Sequence, residues 1–407
     1  MNFSLFRPAF LALTIVVLSQ GAPIVVKTTT ALDGKGNILR NAYLVVEGSR
    51  IASIGSKPNP GGAVYDLSGL TIMPGWIDTH VHLNYHFDQN GRLAPLGKGA
   101  PQEEMLYALG NAYKMLMAGF TTVQSLGAPA DRDLRDAINR GTAPGPRILT
   151  SLGAIDESTG GVEQIRAFVQ KAAADGADVI KMFATKSIRD GGAQSLTDEQ
   201  IQVACAAAKA AGKRMVIHAQ GAAGARIAVL AGATAIEHGA FFDDSVLQLI
   251  AERGAYFDPN FLVLHNYLEN KPKFLGIGNY TESGFAFMQK GIPLIAEVMR
   301  KAIARHVKIV FGTDAVAGIH GRNYEEFVYR VKEGGQRPLD ALVSANSLAA
   351  ESLDLGAEVG SIAPGMRADL IAIEGNPLED ITAVRNVVFV MKGGQIYKNM
   401  VPSRKDR

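Results

Sequence analysis

The stretch Asp78-Thr79-His80-Val81-His82 sets two imidazoles two residues apart. In an extended strand such residues share a face. His80 and His82 therefore point the same way and can grip one cation, and Asp78, on the same face, can orient a ligand by hydrogen bonding. Alone, the pair also fits ordinary core or surface histidines. Lys181 lies inside Asp178-Val179-Ile180-Lys181-Met182-Phe183. A cation among apolar neighbours is costly to bury, so this lysine pairs with an acid, snorkels outward, or is modified or coordinating. Three more polar groups end short apolar runs: His218 after Met215-Val216-Ile217, His238 in Ile236-Glu237-His238-Gly239, and Asp314 after Phe311-Gly312-Thr313.

The elements that would position these groups follow from periodicity. From residue 70 to about 355, short apolar runs alternate with alanine-rich stretches of helical period, the pattern of repeated βα units. Eight candidate strands cover 71–83, 121–124, 147–150, 179–183, 214–218, 235–238, 256–257 and 309–312. Segments such as 198–211 and 245–252 are amphipathic helices. Eight such units predict an α/β chain built on a (β/α)8 TIM barrel, whose active site forms at the C-terminal ends of the strands. The histidine pair, Lys181, His218, His238 and Asp314 stand at the ends of strands one, four, five, six and eight, and would meet at one mouth. Residues 24–54 read instead as short strands and turns, with Asp33-Gly34 as a turn. Strand patterning returns after Gly356 in GSIAPGMRADLIAIEG and VVFVMKGGQIY. The expected organisation is a barrel over 70–355 and a small β-sandwich domain built from both chain ends, 23–69 and 356–407.

Composition narrows the function classes. The chain has 407 residues, 47% hydrophobic and 20% charged, and 41 basic against 39 acidic side chains leave +2. That is globular composition, neither a disordered nor an acidic solvating protein, and it carries no electrostatic footprint for nucleic acid. Cys205, the one cysteine, allows neither an intramolecular disulfide nor a cysteine-based zinc site. At the N-terminus, Arg7 precedes an apolar run over 9–18, with Ser19 and Gly21 as small residues after it. This is the layout of a secretory signal over 1–22, and the run is short of the roughly 20 residues that span a membrane. The expectation is a secreted or periplasmic protein with no membrane attachment once mature; uncleaved, it would be cytoplasmic.

The ordered set His80-x-His82, Lys181, His218, His238 and Asp314 resembles the binuclear branch of the amidohydrolase superfamily. The flanking sequences MPGWIDTHVHL, IEHG, FGTDA and GSIAPGMRADL agree with it, and the likeness runs from residue 23 to 400. The resemblance implies two divalent metal ions, usually zinc. His80, His82 and Asp314 would hold one and His218 and His238 the other. Lys181, carboxylated by carbon dioxide to a carbamate, would bridge them. Such metals lower the pKa of bound water toward about 7, and Asp314 would act as general base and then acid. Deaminases of the superfamily usually lack the strand-four lysine.

Within the superfamily the chain is similar to the imidazolonepropionase-like and Xaa-Pro or Xaa-Arg dipeptidase group, which includes ochratoxin-type amidohydrolases. In some of those dipeptidases a tyrosine and an arginine after the strand-five histidine hold the substrate α-carboxylate. Here the matching positions are Gln220 and Arg226, so the arginine is kept and the tyrosine is not. Tyr85, His86, Phe87, Phe261, His265 and Tyr267 fall in or near loops of the active face and could form an aromatic-tolerant pocket, His265 being the residue to watch; the same aromatics could simply pack loops. The expected activity is hydrolysis of the amide or peptide bond of small N-acyl amino acids or dipeptides, with an imidazolonepropionase-like cyclic amide hydrolase as the alternative. Expected partners are the small-molecule substrate and further copies of the chain in a homo-oligomer.

Overall fold

The computed structural model describes residues 22–57, 61–95 and 97–401; the signal segment expected over 1–22 lies, but for Ala22, outside them. The first five strands are β1 (Ile24–Leu32), β2 (Ile38–Glu47), β3 (Arg50–Gly55), β4 (Ala63–Asp66) and β5 (Thr71–Pro74). A second series follows: β6 (Trp76–Val81), β7 (Phe120–Ser125), β8 (Arg147–Thr150), β9 (Ala154–Ile155), β10 (Val179–Phe183), β11 (Arg214–Gly221), β12 (Ala235–Phe241), β13 (Tyr256–Asp258) and β14 (Lys308–Ile309). The chain ends with β15 (Leu370–Ile373), β16 (Val387–Lys392) and β17 (Gln395–Asn399).

Both chain ends meet in one mixed sheet of eight strands, ordered β17-β16-β15-β5-β1-β2-β3 with β4 also paired to β1. The expected sandwich is thus a single hydrogen-bonded ladder. The reason is the length of β1, which pairs β2 along one edge and β4, then β5, along the other. The sheet curls until Ile51 N–H reaches the Met366 carbonyl at 2.8 Å, closing over Val26, Leu44, Ile72, Leu370 and Phe389.

The first expected barrel strand is two strands. Gly75 separates them: its N–H bonds to Asp369 O at 2.9 Å, and a Cβ there would lie 2.2 Å from Thr121 Oγ1. Thr71–Pro74 accordingly joins the terminal sheet, and only Trp76–Val81 runs with the parallel strands.

Those parallel strands form two ladders, β6-β7-β8 and β9 to β14 in sequence order. The continuous ring expected from the sequence is interrupted at two places. In the third unit, Leu152 (φ 57°) and Gly153 (φ 156°) break the strand into β8 and β9. In the eighth, side chains take the place of ladder partners: Gly312 N–H donates to Asp258 at 2.9 Å and Thr313 N–H to Asp78 at 3.0 Å. Backbone bonds still cross both gaps, from Asp178 N–H to Thr150 O at 2.8 Å and from Thr79 N–H to Phe311 O at 2.9 Å.

Local signals set the helices that follow the strands. Thr197 and Gln200 form a reciprocal capping box that starts the helix Asp198–Ala210, which satisfies two otherwise orphaned donors. Asp243 caps Asp244–Arg253, which ends on left-handed Gly254. Facing strands bury an apolar layer of Leu126, Val179, Val216, Ala235, Tyr256 and Val310. Two residues further along β10, β11, β12 and β13, on the same face, stand Lys181, His218, Glu237 and Asp258. The polar site is thus stacked directly on an apolar floor. Among the described residues, no helix is long and apolar enough to cross a membrane.

Candidate metal centre

Above that floor the end of β6 presents its pair of imidazoles. His80 Nε2 and His82 Nε2 are 3.3 Å apart. Asp314 Oδ1 lies 3.3 Å from the first and 3.1 Å from the second. Ligand atoms about 2.0–2.1 Å from a shared zinc ion have separations of this size in a tetrahedral arrangement. Asp314 sits at φ 50°, a left-handed turn that is uncommon outside glycine and tolerated by Asp and Asn.

The remaining imidazoles complete a cluster. The His218 and His238 rings are 4.4 Å apart, and those of His80 and His238 are 5.4 Å apart. His218 Nε2 is buried without a hydrogen-bond partner among the described residues. Burial, together with the neighbouring Lys181 or other histidines, holds His80, His218 and His238 well below the usual imidazole range. They are therefore neutral at pH 7, the form a metal ligand needs. Crowded acceptors, neutral imidazoles and an orphaned ring nitrogen are a donor set that suits divalent cations.

Lys181 is fully buried, and burial lowers its amine to about 7. Its Nζ contacts Glu237, whose other carboxylate oxygen lies 3.1 Å from His80 Nδ1. Of the readings open for this lysine, the structure displays the acid-paired one. Glu237 is a residue that strand alternation hides, since neighbours on a strand should face opposite ways. His238 resolves this by adopting φ 71°, followed by Gly239 at φ 73°, so adjacent side chains both turn inward. A Cβ on Gly239 would lie 2.7 Å from Phe242 and 2.8 Å from Phe257. The IEHG motif carried the signal in its glycine.

Beneath the histidines, Asp78 accepts bonds from Thr313 Oγ1 and Asn323 Nδ2, each at 2.7 Å. Burial raises its carboxyl to about 7. It ties the β6 end to the segment that carries Asp314, two elements more than two hundred residues apart in sequence.

A cavity of about 140 Å³ opens onto this centre. His80, His82, His218, His238 and Asp314 form one part of its lining. Gln220 also lines it, its Oε1 accepting from Ala240 N–H at 3.3 Å. Of the expected aromatics, Tyr85 and Tyr267 are on the wall. Arg226 and His265 are not among the lining residues. Arg226 lies on the helix Ala222–Leu230 and bonds Ser245 Oγ at 2.5 Å. His265 stacks on Tyr329, centroids 3.9 Å apart, with Glu333 3.2 Å from its Nε2. Arg189, Tyr280 and Asn260 line the cavity without having stood out in the sequence; each falls in a loop or cap with no periodic pattern.

The family model for the amidohydrolase family matches residues 71–397. The chain is 28% identical to an ochratoxinase of Aspergillus niger over 90% of its own length and 85% of that protein. It is 25% identical to an imidazolonepropionase of Anaeromyxobacter dehalogenans, covering 91% of this chain and 94% of that one. Among solved structures, a Xaa-Pro dipeptidase with bound methionine superposes with a TM-score of 0.84 at 32% identity, covering 93% of this chain and 100% of the other. With the strand-end cluster and its fold context, these likenesses establish that the chain belongs to the amidohydrolase family and is a hydrolase acting on carbon–nitrogen bonds.

Proposed function

We propose that the chain is a binuclear zinc amidohydrolase that cleaves the amide or peptide bond of small N-acyl amino acids or dipeptides, including aromatic amides of the ochratoxin type. One observation carries this reading: five polar side chains from distant strand ends, His80, His82, His218, His238 and Asp314, line one small cavity, with buried Lys181 close by against Glu237 and His218 Nε2 without a hydrogen-bond partner among the described residues. In it, the two parallel ladders act together as a (β/α)8 barrel over 70–355, with the terminal sheet beside it. His80, His82 and Asp314 would hold one ion and His218 and His238 a second, with Lys181 as a carbamate between them. Bound cations would lower the pKa of water toward about 7 and polarise the scissile carbonyl. Asp314 then accepts a proton from the attacking water and hands it to the leaving nitrogen. Asp78 keeps the Asp314 segment in register through Thr313. Glu237 neutralises Lys181 while it is an amine, and its other carboxylate oxygen lies 3.1 Å from His80 Nδ1.

The similarity to an Aspergillus niger ochratoxinase and to a Xaa-Pro dipeptidase supports an amino-acid amide as substrate. The near full-length similarity to an imidazolonepropionase supports a second reading, a cyclic amide. A secreted or periplasmic homo-oligomer is the setting that goes with the first. The test is a hydrolysis screen of the zinc-loaded protein with N-acyl amino acids, Xaa-Pro and Xaa-Arg dipeptides, aromatic dipeptides, an ochratoxin-type amide and a cyclic amide. Turnover of the open-chain amides is expected; turnover of the cyclic amide alone would select the second reading. Lys181→Ala is expected to abolish activity, and a variant with two metals bound and full activity would refute the bridge.

A further inference from the structure

The cavity has two chemically different parts. Opposite in charge character to the Asp314 part is Arg189, in the short 3-10 turn after β10. Its guanidinium carbon lies 4.2 Å from the Tyr280 ring centroid and 5.4 Å from that of Tyr267. Its Nε donates to Asn279 Oδ1 at 2.9 Å, which fixes the plane of the fork. Among the described residues, Arg189 forms no ion pair with a carboxylate. Other arginines turned away from solvent do: fully buried Arg330 meets Asp258 and Glu326, and half-buried Arg147 meets Asp369. Nε is taken by Asn279 and the fork also interacts with the Tyr267 hydroxyl, but a guanidinium carries five N–H donors, so one held against aromatic rings, lining a small cavity and lacking an acid partner retains donors for a ligand.

We infer that Arg189 is the receptor for a substrate carboxylate, and that the enzyme acts on amides whose acid group reaches the tyrosine-walled part of the cavity while the scissile bond lies at the histidines. This rests on the amide-hydrolase reading above and assigns a residue to the acid group that its N-acyl amino acid and dipeptide substrates carry, with Tyr267 and Tyr280 as walls for the adjoining side chain. It also gives the receptor a different location from Arg226, whose fork is engaged by Ser245 and lies near Asp243.

Binding and turnover separate the two claims. The probes are N-benzoyl-phenylalanine and its C-terminal carboxamide, measured by calorimetry and by hydrolysis on the zinc-loaded full chain. The wild type is expected to bind the carboxylate at least about tenfold more tightly than the carboxamide, a difference of about 1.4 kcal/mol. Arg189→Met should erase that preference and leave carboxamide binding within about threefold, which also reports that the variant is folded. Arg189→Lys should restore part of it, since the charge returns without the fork. No preference in the wild type, or an equal loss for both probes in Arg189→Met, overturns the inference. Carboxylate-selective binding with no hydrolysis of either probe would instead count against open-chain N-acyl amino acids as substrates and leave the receptor standing.

Discussion

Two groups of buried ionisable side chains lie among the parallel strands, and they differ in how their hydrogen-bonding capacity is met. In the first, Arg330 donates to Glu326 at 2.7 Å, to Asp258 at 2.8 Å and to the Val310 carbonyl at 2.5 Å. Glu326 also accepts from the N–H groups of Phe261 and Leu262, at 3.1 and 2.6 Å, and Asp258 accepts from Gly312 N–H and Thr79 Oγ1. The second group is the histidine cluster, where acceptors crowd one another and His218 Nε2 has no partner among the described residues. The first group is complete within the chain; the second is left open, as the proposed metal site requires. Buried polar groups are costly unless satisfied, so the complete group reads as scaffold, while the open histidine nitrogen together with several crowded ligand atoms on a cavity reads as a site.

The largest effect should come from the incomplete group. Asp314→Asn keeps the shape but cannot accept a proton, and kcat is expected to fall about 10²–10⁴-fold, the usual contribution of general acid–base catalysis. Removing divalent cations with a chelator should abolish turnover and lower the melting temperature, since a ligand of the folded state alone stabilises it. Readdition of zinc should restore both. Activity that survives chelation with no metal detected would erase the contrast between the two groups.

In the complete group, Arg330→Met should act on stability. It leaves Asp258 and Glu326 buried without their cation, a change that typically costs about 3–5 kcal/mol, read as a shift of the urea midpoint. Burial already raises the Asp258 carboxyl to about 6, against the opposing pull of Arg330. A loss below about 1 kcal/mol would show that the ion pair is not what secures this region. Gly239→Ala is expected to fall next. The left-handed φ and the contacts a Cβ would make with Phe242 and Phe257 predict a cost of about 1–3 kcal/mol, with metal affinity reduced because His238 turns with its neighbour. Calorimetric zinc titration of a folded Gly239→Ala protein checks the second half.

The contrast also explains what could be read from sequence. As candidates, His218, His238 and Asp314 were legible because each ends a short apolar run, His80 and His82 because they share a strand face, and Lys181 because a cation inside an apolar strand is out of place; all of these are properties of local pattern. The two-sheet division of the parallel strands was not visible. It depends on Leu152 adopting a positive φ, and on Asp258 and Asp78 capturing backbone donors from Gly312 and Thr313 across the fold. Arg330 and Glu326 look like one more surface i,i+4 pair on a helix; only their burial tells otherwise. Glu237 was masked by strand alternation, and Arg189 by a turn whose place against Tyr267 and Tyr280 is purely tertiary.

The smallest expected effect separates two arginines. The resemblance led to the expectation that Arg226 holds a substrate carboxylate, yet it is partly exposed, bonded to Ser245 and 3.5 Å from Asp243. Exposed pairs of this kind contribute about 0–1 kcal/mol, so Arg226→Ala should shift the unfolding midpoint only slightly. A carboxylate contact would show differently, as a rise in KM confined to substrates with a free acid. With Arg189 in that role, KM for N-benzoyl-phenylalanine should change less than about threefold in Arg226→Ala and much more in Arg189→Met. The reverse order would return the receptor to the helix after β11, and would mean that this helix moves toward the cavity when substrate binds.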